Sequence, residues 1–163
     1  MNLEESIYET LGTLSIPFEL QRHPPIFTWE DAQRIPRTDR GQHFKSLFLT
    51  PVRQCDPRPF FLLVICAEKR ASLQDAARAA NSPKLTFANP GALMECLGVT
   101  PGAVSPLALI HPGAQGVQLL LDSDIPTFEW VSFHPGVNTA TVTMPQKCFQ
   151  DYIGHTGHVP LWI

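Results

Sequence analysis

The chain has 163 residues, a length for one domain with one sizeable core, and at 44% hydrophobic and 17% charged residues it belongs with globular rather than disordered or fibrous proteins. Its 16 prolines break it into short elements and argue against a helical bundle. No run approaches the length of a membrane span, and a net charge of -3 argues against a protein that coats long nucleic acid.

In chain order, Asn2 caps a first helix with Glu4 and Glu5 in its positive first turn, and Leu3, Ile7, Leu11 and Leu14 form one apolar face. This acidic start lacks a signal-peptide pattern, which leads us to expect a cytoplasmic protein. Ile16-Pro17 ends the helix. Phe18 to Gln21 reads as a short strand, and His23-Pro24-Pro25 as a rigid turn. Thr28-Trp29-Glu30-Asp31 is a capping box with Asp in place of Glu, opening a short helix. Arg37 to Gln42 is a polar loop. It leads into Phe44-Lys45-Ser46-Leu47-Phe48-Leu49, which pairs with Phe60 to Cys66 as core strands.

Further on, Ser72 caps a helix through Ala80, and Leu85-Thr86-Phe87 is a short strand. Asn89-Pro90 opens another helix, with Gly98 just past its end. Leu107 to Ile110, Val117 to Leu121 and Thr139 to Thr143 read as strands, and Pro145 begins a last helix to about Ile153. Strands and short helices intermix without a regular βαβ period. The expected fold class is therefore α+β (mixed α/β), one domain over residues 1–163 with a curved mixed sheet flanked by short helices. Cys55, Cys66, Cys96 and Cys148 are widely spaced with no CxxC, as reduced thiols are, two of them core fillers.

Lys45 stands out because a charge in an apolar strand needs an anion or a solvent-lined cleft. A lone lysine in a strand ordinarily lies on a solvated face or snorkels at an edge. Residues 22–58 hold seven of the 12 basic side chains (Arg22, Arg34, Arg37, Arg40, Lys45, Arg53 and Arg58) against four acids, which leaves the stretch at +3 and suits a small phosphate-bearing target. In Gly102-Ala103-Val104-Ser105-Pro106, positive φ at Gly102 would aim successive amides at one anionic oxygen. The plainer reading is a proline-bounded connector. His134, between Phe133 and Pro135, would donate a hydrogen bond or shuttle a proton, where a partly buried structural histidine is the commoner case. His155 and His158 have HxxH spacing but no evident third ligand, so no metal is expected. Neither Ser46 nor Ser105 sits in a G-x-S-x-G elbow, and there is no Walker or G-x-G-x-x-G sequence.

These segments, in this order, resemble one family. They are Leu14 to Glu19 with His23-Pro24; Phe27-Thr28; Lys45 to Leu49; Leu85 to Ala88; Leu97-Gly98-Val99-Thr100-Pro101-Gly102 through Pro106; Phe133-His134-Pro135 through Asn138-Thr139-Ala140-Thr141; and the tail Gly157-His158-Val159-Pro160. The resemblance is to the free-standing aminoacyl-tRNA editing domains of the YbaK/ProX superfamily and covers nearly the whole chain. Within it, the Leu-Gly-Val-Thr-Pro-Gly run, Phe-His-Pro and the Gly-His-x-Pro tail look most like the branch that deacylates alanyl-tRNA(Pro). That branch has Asn after the lysine where this chain has Ser46, which opens the choice of amino acid.

The resemblance implies hydrolysis of an aminoacyl ester on the 3′-terminal adenosine of tRNA, without cofactor or metal. Lys45 would hold the terminal phosphate, its partner arriving with the ligand. The Gly102 loop would place water or carbonyl through backbone groups, with the ribose 2′-hydroxyl assisting. Ser46 and His134 would line the aminoacyl pocket. Phe27, Thr28, Ala103, Val104, Ser105, Pro106, Asn138 and Thr139 complete the expected substrate-binding set. Implied partners are the acceptor end of mischarged tRNA(Pro) and, transiently, prolyl-tRNA synthetase, with no membrane. Two alternatives stand beside this: a deacylase for seryl or threonyl esters, and a non-catalytic module that binds a tRNA end or aminoacyl nucleotide.

Overall fold

Local signals place the helices. In the computed structural model, which describes residues 1–36 and 38–163, α1 (Leu3–Thr13) starts where the Asn2 side chain accepts from the Glu5 amide and the Glu5 carboxylate accepts from the Asn2 amide. The same reciprocal pair, Thr28 with Asp31, opens α2 (Trp29–Arg34). Ser72 caps α3 (Leu73–Ala79) and Asn89 caps α4 (Pro90–Leu97), which Gly98 ends at φ +67°. Pro145 precedes α5 (Gln146–His155). No helix among the described residues is long and apolar enough to cross a membrane.

The strands form one mixed eight-stranded sheet: β1 (Glu19–Arg22), β2 (Gln42–Pro51), β3 (Phe61–Cys66), β4 (Leu85–Phe87), β5 (Gln118–Leu121), β6 (Trp130–Phe133), β7 (Ala140–Pro145) and β8 (Leu161–Trp162). The order is β1-β7-β6-β2-β3-β5-β8, and β4 adds to β2. β3 is buried along its whole length because both sheet faces are covered. Leu62 and Val64 pack with Ile7, Leu11, Leu97 and Phe149, from α1, α4 and α5. Leu63 and Ile65 point the other way, onto Ala76 and Ala77 of α3. The fold is thus the mixed α/β domain expected.

Several details of the sequence reading change, among them β8, which forms where the sequence reading had no strand. Leu107 to Ile110 is not a strand but part of a 3-10 helix over Pro106–Ile110. Pro106 fixes the first turn, the Ser105 hydroxyl accepts from the Leu107 amide, and Pro106 to Leu109 are all buried, so an apolar run carried no strand periodicity. β6 was not foreseen. Its four residues carry Trp130 and Ser132 among apolar neighbours and lack a turn signal at their start. Arg37, read as the start of a polar loop, lies outside the described residues, and Gln42 at that loop's end already belongs to β2.

Candidate active site

The site grows from an interruption in the sheet. β2 lies parallel to β6 only at Gln42 and His43, opposite Val131 and Ser132. The same edge of β2 meets β4 only from Leu49 onward, with the Ala88 amide donating to the Phe48 carbonyl. Residues 44–47 between these contacts keep β3 on one side and, among the described residues, no strand on the other. The cleft, of about 260 Å³, opens there. Lys45, Ser46, Gly102, Val104 and His134 line it, with Phe27 and Thr28 at the rim.

Lys45 is half-buried, and its ammonium already has a protein partner, the Lys69 carbonyl, at 2.6 Å. The expectation that its partner arrives only with a ligand is therefore corrected. One of its three N–H donors is committed, and the remaining two are those a phosphate oxygen would accept from.

His134 follows the last residue of β6. Its Nδ1 lies 2.9 Å from the Ala140 carbonyl. A carbonyl only accepts, so Nδ1 carries the proton and Nε2 of the neutral ring is an acceptor. Burial holds the ring's pKa below the ordinary value, and the neighbouring His23 and His43 push it the same way. Of the two expected roles, hydrogen-bond donor and proton shuttle, the neutral ring has lost the first at its remaining nitrogen.

Gly102 has φ +91°, and a Cβ there would come 3.1 Å from Phe27 Cδ1 and 3.4 Å from Asn138 Nδ2. Phe27, 67% exposed, thus lies against the Gly102 backbone. The loop carrying it is tied down by the Ile26 amide on the Asn138 carbonyl, the His23 amide on the Thr139 carbonyl, and His23 Nε2 at 2.8 Å from Thr141 Oγ1. Asn138 and Thr139 therefore brace the rim and do not line the cleft.

The row of amides expected from Gly102 to Pro106 is shortened. The Ala103 amide is spent on the Thr100 carbonyl, Ser105 is 1% exposed with its hydroxyl capping Leu107, and Pro106 is buried. Ala103, Ser105 and Pro106 stand behind the cleft, and Gly102 and Val104 face it. A proline-bounded turn must use some of its own amides to hold its shape, which spacing alone does not reveal.

Among the described residues, most of the basic stretch is likewise engaged within the chain. Arg22 pairs with Glu4, Arg34 with Asp31, and Arg40 with Glu19 while stacking on Trp130. Arg58 donates to the Pro51 carbonyl and Gln54. The HxxH pair has no shared centre: His158 bonds Thr156 and the Ala114 carbonyl through its two ring nitrogens, and His155 is exposed. Among the described residues, one cluster has the spacing of metal ligands, Cys66, Asp122 and Asp124. The Lys69 ammonium sits between its carboxylates at 2.8 Å from each.

Sequence reasoning missed two groups beside the cleft. Lys69 is one. The other is His43, at the cleft wall, whose Nε2 lies 2.9 Å from Asp39 Oδ1, where the Ser132 hydroxyl also donates. Burial alone would raise the Asp39 pKa, but His43, Ser132 and the Gly41 amide hold it well below the usual carboxylate range. No sequence pattern announced the pair, because Asp39 lies in the loop before β2 and His43 within it.

A lysine, a glycine turn and a neutral histidine thus meet around one cleft of a mixed-sheet domain. Comparison with known proteins makes the class specific. Residues 23–152 match the family described as the aminoacyl-tRNA editing domain, and the chain belongs to that family. It is 31% identical to the "Prolyl-tRNA synthetase associated domain-containing protein 1" of Bos taurus, over 98% of this chain and 93% of that protein. It is 27% identical to the "Prolyl-tRNA editing protein ProX" of Acetoanaerobium sticklandii, over 97% of this chain and 94% of that protein. The solved structure of the hypothetical protein APE2540 shares the fold, with a TM-score of 0.72 at 19% identity, covering 94% of this chain and 95% of that one.

Proposed function

We propose that the chain is a trans-editing hydrolase that cleaves the ester of mischarged tRNA, alanyl-tRNA(Pro) before others. The observation that carries this is the convergence of Lys45, Ser46, Gly102 and His134 on the interrupted edge of β2. The names of the relatives, which mention prolyl-tRNA editing and prolyl-tRNA synthetase, support the choice of tRNA and a transient contact with that synthetase. A cytoplasmic location follows from the substrate.

In this reading Lys45 binds the phosphate of the terminal nucleotide with its two remaining donors. An aminoacyl ester is already activated, so a placed water suffices and no covalent nucleophile is required. His134 Nε2 accepts a hydrogen bond from that water or from the ribose 2′-hydroxyl. Water attacks the ester carbonyl, the C–O bond to the ribose breaks, and the ribose oxygen takes up a proton as the free amino acid leaves. Backbone groups at Gly102 and Val104 face the carbonyl. Neither Lys45 nor His134 needs a bound metal for these tasks, and the two carboxylates of the metal-like cluster are paired with an ammonium.

The selectivity argument is one of size. A proline site rejects alanine weakly, since a missing methylene is worth only about 1–3 kcal/mol, whereas a second, tighter pocket excludes the proline ring by contact. Ser46 offers a hydroxyl where the alanyl branch has an amide, which favours acceptance of hydroxylated amino acids. Initial deacylation rates on alanyl-, prolyl-, seryl- and threonyl-tRNA at matched concentration test this. Alanyl-tRNA(Pro) should be cleaved much faster than prolyl-tRNA(Pro), and Ser46→Asn should shift the alanine-to-serine ratio. Equal rates on alanyl and prolyl esters remove the sieve. Faster seryl or threonyl cleavage moves the chain to a sister specificity. Tight binding with no release of amino acid makes it a binding module.

A further inference from the structure

The lysine ammonium in the cleft sits on a flexible four-carbon stem, so something must decide where its charge stands. That something is one carbonyl, of Lys69, in the turn after β3. The turn closes with the Lys69 amide on the Cys66 carbonyl. Its far end is fixed by the Lys69 side chain, which reaches Asp122 Oδ1 and Asp124 Oδ2, each at 2.8 Å.

Asp122 is 2% exposed and rigidly held. Its Oδ2 accepts from the Cys66 amide, its Oδ1 accepts from the Asp124 amide as well as from Lys69, and its own amide extends the β3–β5 pairing by donating to the Val64 carbonyl. Burial works against its charge, yet Lys69 and the two amides bring the carboxyl pKa down to about 2. The two carboxylates in turn raise the pKa of Lys69. One residue thus faces both ways: its side chain is locked to the β5 end, and its carbonyl is presented to Lys45.

We propose that Lys69, clamped by Asp122 and Asp124, is a positioning residue for Lys45 and sets where the phosphate-binding ammonium stands. This rests on the proposed function, because it assigns Lys45 the anchoring role. The choice of acceptor matters chemically. A carboxylate directly on Lys45 would compete with an incoming phosphate, whereas a neutral carbonyl orients the ammonium and leaves its charge available. The carboxylates are kept one residue removed, spent on Lys69.

The test is a double-mutant cycle in kcat/KM on alanyl-tRNA(Pro), with the same cycle read as Kd for uncharged tRNA(Pro). Lys69→Met should lower kcat/KM by roughly 10- to 100-fold, the scale of a misplaced binding group, and Lys69→Arg should restore most of it. In a Lys45→Ala background, Lys69→Met should add less than about twofold, because its target is gone. Equal losses in both backgrounds, or a folded Lys69→Met with wild-type kcat/KM and Kd, overturn the inference. If Lys69→Met fails to fold, Asp124→Asn carries the cycle, since it loosens the clamp while Asp122 stays paired. Its loss must also vanish when Lys45 is absent, or the inference falls. A silent Lys45→Ala overturns the anchoring role itself, an outcome separate from additivity.

Discussion

Lys45 donates to a carbonyl of an exposed turn, where water can replace the lost partner, so its removal should cost little stability. Its loss as a preorganised electrostatic donor is a larger matter, about 100-fold or more in rate. Lys45→Ala should therefore melt near the wild type and deacylate about 100-fold more slowly. Near-normal rates in the folded variant would refute the anchor. His134 makes a separate, pH-dependent prediction. Its pKa is depressed by burial, so the folded state resists a proton that the unfolded chain accepts below about pH 6.5. The fold has its full stability from this group above that pH and loses it as pH falls. Urea midpoints at pH 7 and pH 5 should differ less in His134→Gln than in the wild type, and an unchanged difference would deny that the ring is held neutral. The lysine and the histidine were both legible as residues. Their partners were not, because the Lys69 and Ala140 carbonyls are backbone groups brought near by folding, and no side-chain motif announces them.

At the scale of elements, caps and breakers were the readable part. Asn2, Thr28, Ser72 and Asn89 act through neighbours three residues away, so their chemistry is complete within the local sequence. Short apolar runs were not readable in the same way. Leu107 to Ile110 became a 3-10 helix and Trp130 to Phe133 a strand for reasons that lie in packing. The glycine turn falls between these cases. Gly102 was picked out for positive φ, which it has, but the Ala103 amide is consumed within the turn. At φ +91° an alanine costs about 1–3 kcal/mol of backbone strain, and its methyl would press on Phe27. Gly102→Ala should lower the melting temperature modestly and cut deacylation more than that destabilisation explains. A variant as active as the wild type would show that the turn merely connects.

Across the whole molecule, the sheet accounts for both the core and the site. Its buried face pairs were foreshadowed by the Phe60 to Cys66 run, but strand order depends on pairings between distant residues, such as Gln42 with Val131. The charge distribution misled for a related reason: within the stretch that looks like an anion-binding flank, Arg22 and Arg40 pair with acids far along the chain, Glu4 and Glu19, and Arg58 donates to the Pro51 carbonyl. The parting of β2 from β6 has an outcome that an isotope can read. Phe48 and Val52 direct their main-chain groups to the β4 edge, and His43 directs its carbonyl to β3, so the alternation turns the Ser46 amide toward the cleft and the Lys45 and Leu47 amides into the ladder. Deuterium should therefore enter Ser46 quickly and its two neighbours slowly, within one continuous strand. A bound tRNA end that occupies the gap should slow exchange at Ser46 alone, which makes a single amide a reporter of occupancy without any chemistry taking place.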